Sequence, residues 1–248
     1  MIKSLNALTW KELSAMDREQ AVCLFPISAL EQHGKHLPLG TDDFILAAAL
    51  DGVRSDPRLA ADYLLLPALH YGNSAEHLDF PGTISLSCAT IVNIVEDILR
   101  CLAGHGFKKL VIINSHGGNS ALFQAYSQEW RQRLGIRVYH INFFVSDFLS
   151  EAAPLLETPL SSDVHAGELE TSILLHAMPE MVRREKIEGT DDVLITLQDY
   201  YSGWLSSEYT PGNGTIGLPT RATPEKGKTL LTYIQNKIVN YLFQIACE

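Results

Sequence analysis

Four short apolar runs rich in strand formers, "AVCLFPIS" (21–28), "YLLLPAL" (63–69), "KLVIIN" (109–114) and "IRVYHINFF" (136–144), are separated by stretches long enough to hold a helix. That alternation constrains the fold more than any other feature. Strands apolar along their whole length must be covered on both faces, which is the condition of a parallel sheet between helices. Between them, "CATIVNIVEDILRCLAGHG" (88–106) and "SALFQAYSQEWRQRLG" (120–135) place apolar residues at helical spacing and carry glycine where a helix would end. The order β-α-β-α-β predicts an α/β fold, a three-layer α/β/α sandwich with a mainly parallel sheet. The run "PEKGKTLLTYIQNKIVNYLFQIA" (224–246) predicts a last helix packed on the outside.

No linker, repeat or low-complexity tract divides the 248 residues, so a single domain over 1–248 is expected. A net charge of −10 with scattered Lys and Arg argues against nucleic acid as a partner, because phosphate binding needs a basic patch. No apolar stretch approaches the roughly 20 residues that span a bilayer. The start, "MIKSLNALTWKELSAMD", interrupts any signal-like apolar segment with polar residues, and a cytoplasmic location is expected. Cys23, Cys88, Cys101 and Cys247 form no C-x-x-C pair and are assigned no chemistry.

Ligands of open α/β sheets bind beyond the carboxyl ends of the strands. Three polar clusters fall there: "EQHGKHLPLGTDD" (31–43) after the first run, "SHGGN" (115–119) after "KLVIIN", and "SSDVHAGELETS" (161–172) ahead of a helix. In an extended segment residues two apart share a side, so Glu31 and His33 can face one point, with Asp42 brought back by the "PLGT" turn. His116 and Glu168 complete five oxygen and nitrogen donors without thiolate, a set suited to Zn²⁺, Mn²⁺ or Fe²⁺. Five donors serve two ions only if one carboxylate bridges, and Asp42 is the candidate. Duller roles stay open for each: Asp42 or Asp43 can cap a helix, and Glu168 can complement a helix dipole. "SHGGN" lacks the spacing of a nucleotide loop, and the chain has no G-x-S-x-G elbow for a serine esterase.

The motifs "EQHGKHLPLGTD", "SAEHLDFPGTISLS" (74–87), "NSHGGN", "HAGELETS" (165–172) and "GTIGLPTRATPEKGK" (214–228) resemble those of the creatininase family, over about residues 21 to 228. The first, E-x-H with an aspartate nine residues after the histidine, is the most specific. The resemblance implies two divalent metal ions, zinc foremost with manganese or iron as alternatives, in an assembly that is commonly a hexamer. It implies hydrolysis of a non-peptide C–N amide bond, in a cyclic amide or formamide of a small molecule, by water activated at the metal pair. Glu31, His33, Asp42 and His116 match its metal ligands, and His165 matches its proton-shuttling histidine, though a histidine there can also cap the following helix. Creatininase itself has a glutamate where this chain has Gly118, which points to Glu168 as the replacement carboxylate and away from creatinine as substrate. A peptidase-like member, or a metal-binding regulatory protein without turnover, are the alternatives. Glu76 and His77 are expected to line the pocket or orient ligands, and His36, His70, His105, His140 and His176 to be structural. Tyr200, Tyr201, Trp204 and Tyr209 can stack a flat heterocycle or pack against a neighbouring subunit.

Overall fold

The computed structural model describes residues 2–59, 62–144, 146–190 and 195–248, with the side chains of 146, 197, 200 and 201 also outside the described set; the stacking roles expected of Tyr200 and Tyr201 therefore lie outside the described residues. Among the described residues the strands β1 (Ile2–Ser4), β2 (Val22–Ile27), β3 (Tyr63–Leu65), β4 (Lys109–Asn114) and β5 (Arg137–Asn142) form one sheet in the order β1-β3-β2-β4-β5. Every pairing is parallel. The helices are α1 (Trp10–Ser14), α2 (Thr41–Arg54), α3 (Cys88–Gly104), α4 (Ser120–Leu134), α5 (Ser146–Leu149), α6 (Glu168–Ala177), α7 (Leu197–Ser202), α8 (Ser206–Tyr209) and α9 (Pro224–Ala246).

Alternation along the strands sorts the core into two layers. Val22, Leu24, Val111 and Ile113 pack with α2, α6 and α9, whereas Cys23, Phe25, Leu110 and Ile112 pack with α3 and α4. β2 and β4 are buried along their whole length, as their continuous apolar sequence requires. Pro26 stands inside the central strand β2, where a missing N–H would normally break a ladder. Its nitrogen faces the β3 side, and there the paired register ends at Leu24↔Leu65. The predicted strand over 63–69 is correspondingly short. α9 forms part of the outer layer yet lies close on its neighbours: a Cβ at Gly227 would come within 1.8 Å of the Ser172 carbonyl oxygen on α6.

The topology creates the crevice. From β2 the chain passes through α2 to β3 on one side; from β3 it crosses by α3, on the opposite face, to β4 on the other side of β2. The strand order reverses between β2 and β4, where loops part and a ligand can sit. Cys23 is buried within the sheet, and burial pushes its thiol up to about 12, so it is inert. No helix among the described residues is long and apolar enough to cross a membrane.

Candidate metal centre

Glu31 and His33 leave the end of β2 directly. The backbone then loops back, Glu31 N–H donating to the Leu39 carbonyl at 3.0 Å and the Thr41 hydroxyl donating to Pro38 O at 2.7 Å, so that α2 begins at Thr41 and returns Asp42 to the same point. Asp42 makes no cap bond on α2; its neighbour Asp43 is engaged elsewhere, with its carboxylate 2.6 Å from His70 Nδ1. The Ser115 hydroxyl donates to Asp42 O at 2.9 Å and ties the start of α2 to the end of β4, from which His116 projects. Glu170 arrives from the first turn of α6, held by the Ala166 N–H on Oε2 at 2.6 Å. Ala166 itself adopts φ +51°, a strained left-handed conformation that turns the chain into this helix.

Among the described residues the donors fall into three groups, of which two share Asp42 and the third joins Glu31, His33 and His165. Asp42 Oδ2 lies 3.2 Å from His116 Nδ1, and Glu31 Oε1 lies 3.4 Å from the same nitrogen. Asp42 Oδ1 lies 3.4 Å from His33 Nε2, with Glu170 Oε1 at 3.8 Å from it. In each of the two groups that share Asp42, Glu31/Asp42/His116 and His33/Asp42/Glu170, the donor atoms all lie within 4.8 Å of one another. These are proximities and not aligned hydrogen bonds, because Glu31 Oε2, His33 Nε2 and Asp42 Oδ2 are buried with no hydrogen-bond partner among the described residues. Lone pairs aimed at shared points, and not at each other, are what cation binding requires.

The imidazoles are set for the same purpose. His33 places Nδ1 3.2 Å from the Glu31 carbonyl and His116 places Nε2 2.6 Å from the Asn73 carbonyl, so each donates one N–H outward and turns the other nitrogen inward. Burial opposes protonation of His33, but Asp42 and Glu170 outweigh it and hold its pKa well above the ordinary value. Burial likewise opposes protonation of His116, and Glu31 and Asp42 again prevail. The two imidazoles hold Asp42 well below the usual carboxylate range although burial works the other way. Protons on His33 and His116 and divalent cations are thus alternative counter-charges for the same carboxylates.

Glu31, His33, Asp42 and His116 therefore meet at the predicted rim, but Glu168 does not join them. Its fully buried carboxylate faces away, accepting N–H bonds from Glu157 at 3.1 Å and Thr158 at 2.7 Å, with Lys226 Nζ at 2.6 Å. Glu170 takes the expected place. Two helical positions differ by about 200° around the axis, so Glu168 and Glu170 point to opposite sides of α6. The sequence offers both in "GELE", and only the phase of the helix against the cluster separates them.

His165 Nε2 donates to the Gln32 carbonyl at 2.6 Å, leaving Nδ1 turned toward Glu31 Oε1 at 3.7 Å. It does not cap α6; Asp163 does, accepting from Glu168 N at 2.7 Å and Leu169 N at 2.9 Å. Burial, with the neighbouring His33, lowers the His165 pKa. His77 stacks on His165 with ring centroids 4.1 Å apart; its Nδ1 accepts from the Gln32 amide at 3.0 Å and from the Ser206 hydroxyl, which leaves a proton on Nε2 facing Glu31. His36 bonds Thr171 and His70 meets Asp43, both outside the cluster. Gly118 admits no side chain, since a Cβ there would lie 2.2 Å from Asn73 O and 2.6 Å from His116 Nε2. A cavity of about 940 Å³ opens over the cluster, with Glu76, Trp204 and Glu208 in its lining.

Fold and site together define an α/β protein with a buried carboxylate–imidazole centre of the kind that holds divalent cations. Among known proteins, the family model described as creatinine amidohydrolase matches residues 6–242. The chain is 32% identical to the creatinine amidohydrolase of Pseudomonas putida, over 92% of this chain and 91% of that protein. It is 29% identical to the mycofactocin precursor peptide peptidase of Mycolicibacterium smegmatis, over 94% and 87%. Two solved creatininases, a manganese form and a Zn–Zn form of a variant, superpose with TM-scores of 0.79 and 0.80, each 28% identical and covering 97% of both chains. The chain belongs to the creatininase family.

Proposed function

We propose that this creatininase-family hydrolase is a dinuclear metal-dependent amidohydrolase that cleaves a non-peptide C–N amide bond in a small molecule. The observation that carries this reading is the pair of donor groups sharing Asp42. Glu31, Asp42 and His116 would hold one cation, and His33, Asp42 and Glu170 the other; the manganese and Zn–Zn relatives support those two metals, with iron as an alternative. Bound there, two divalent cations supply Lewis acidity that lowers the pKa of water and polarises a carbonyl. The chain's own residues supply the rest. The Glu31 and Asn73 carbonyls orient His33 and His116, and His77 steadies Glu31. His165, with Nδ1 turned inward and unprotonated, accepts a proton from the attacking water and passes it to the leaving nitrogen.

Chelation is expected to abolish hydrolysis of formamides and lactams, and Zn²⁺ or Mn²⁺ to restore it; activity that survives full metal removal would end this reading. His165→Ala is expected to lower turnover by about 10²–10⁴-fold while metal content, measured by elemental analysis, stays near wild type. Because Asp42 and Glu170 raise the pKa of His33, and Glu31 and Asp42 that of His116, metal affinity is expected to fall as pH falls, with protons released on binding. Calorimetry in buffers of different ionisation enthalpy measures that release.

Glycine at 118, where creatininase itself has a glutamate, favours a substrate other than creatinine. Similarity to the mycofactocin precursor peptide peptidase, together with the wide cavity, supports a peptidase as the second reading. A panel of formamides, lactams and short peptides separates the two, and bound metal with no turnover on any of them would favour a regulatory protein. The hexamer implied by the family resemblance and the cytoplasmic location expected from the sequence belong to the same proposal; sedimentation tests the first and cell fractionation the second.

A further inference from the structure

The cavity over the cluster is lined by Glu31, Asp42, His116 and Glu170 together with Glu76 and Asp163, and Phe144, Leu160, Ile195 and Leu205 add apolar surface to the same lining. Trp204 and Glu208 belong to the same lining. Among the described residues no lysine or arginine lines this cavity, while Glu31, Asp42, Glu76, Asp163, Glu170 and Glu208 all do. Burial raises the pKa of both Glu76 and Asp163, and Asp163 already accepts the Glu168 and Leu169 N–H groups, so once Glu31, Asp42 and Glu170 are assigned to metal the exposed Glu208 is the carboxylate that no lysine or arginine of the described lining offsets. Apolar walls focus such a field, so an anionic ligand meets repulsion and a cationic one attraction.

The outer pair is held in place. Gly203, at φ +81°, turns the chain out of α7, and Trp204 stands edge to face with His77 at 6.0 Å. The Ser206 hydroxyl bonds His77, the Ser207 hydroxyl bonds Asp79, and Glu208 Oε2 accepts from Leu205 N–H at 3.0 Å. The short helix α8 is thereby fastened to the residue that faces the ligand Glu31. An indole and a carboxylate so fixed combine the two attractions that hold an organic cation, ring quadrupole and counter-charge.

We infer that the site selects amides that carry a positive charge remote from the scissile bond, seated by Trp204 and Glu208, and rejects anionic ones. The inference rests on the amidohydrolase reading and names its substrate class. The test is calorimetric binding to the zinc-loaded protein of three matched probes: benzamide, 4-(trimethylammonio)benzamide and 4-sulfonatobenzamide, the sulfonate being chosen as a poor metal ligand. The cation is expected to bind about tenfold more tightly than the neutral probe, with the anion weakest. Glu208→Gln and Trp204→Leu are each expected to cut the cation-to-neutral ratio by about threefold, Trp204→Phe to restore most of it, and added salt to compress it. Equal or tighter binding of the anion, a ratio untouched by both variants, or no measurable binding of the cation would each overturn the inference. Charge-ordered binding without hydrolysis of any amide would count against the amidohydrolase reading and leave the charge selection standing; hydrolysis with charge-blind binding would do the reverse.

Discussion

Replacing Asp42 by Asn is expected to empty both metal positions at once and to lower kcat/KM by about 10⁴-fold or more. Each of its oxygens faces a different histidine, His33 from Oδ1 and His116 from Oδ2, and it is the residue that the Glu31/Asp42/His116 and His33/Asp42/Glu170 groups have in common. Glu170→Gln is expected to act on one group only, leaving roughly half the metal with a similar loss of activity. Glu168→Gln supplies the contrast, because that carboxylate belongs to a separate ion pair and its loss should leave metal content unchanged. Elemental analysis of the three variants, with circular dichroism to verify folding, checks the assignment. Full metal in Asp42→Asn would refute it, as would metal loss in Glu168→Gln with Glu170→Gln intact.

The second large effect is on stability. Lys226→Met is expected to destabilise the fold by about 3 kcal/mol, because the Glu168 carboxylate would remain buried with its counter-charge gone. For a chain of this size that corresponds to a drop in Tm on the order of 10 °C. Lys226 sits on α9 and Glu168 on α6, so the pair also fastens the long last helix to the segment that delivers Glu170. The pH dependence follows from direction. Burial opposes ionisation of Glu168, but Lys226 and the Thr158 and Glu157 N–H groups prevail and hold its pKa below the ordinary value. Its contribution is thus present above the ordinary glutamate pKa, and is lost as pH falls through the lowered one. Thermal melts from pH 7 down to pH 3 should show this loss in the parent and a shallower slope in the Lys226→Met variant; parallel slopes would count against the pair.

Much of the site was legible because it depends on local spacing and on topology. Glu31 and His33 are two apart in an extended segment, and His116 is two residues beyond a fully buried strand, so strand direction alone delivers them to one rim. Asp42 required the turn at 38–41, which the sequence announces with proline and glycine. β1 was not legible, being three partly exposed residues that owe their conformation to pairing with β3. Glu170 was obscured by Glu168, which has the same chemistry two positions away.

The order of strands and helices, the two-faced burial of the sheet and the identity of four converging donors are set by the sequence itself, since periodicity and chain direction are properties of a few neighbouring residues. The rotation of α6 that turns Glu170 inward and Glu168 toward Lys226, and the seating of Trp204 and Glu208 over the cluster, were decided only in the tertiary structure. Both depend on contacts between residues far apart in the chain, whose angles no local pattern encodes.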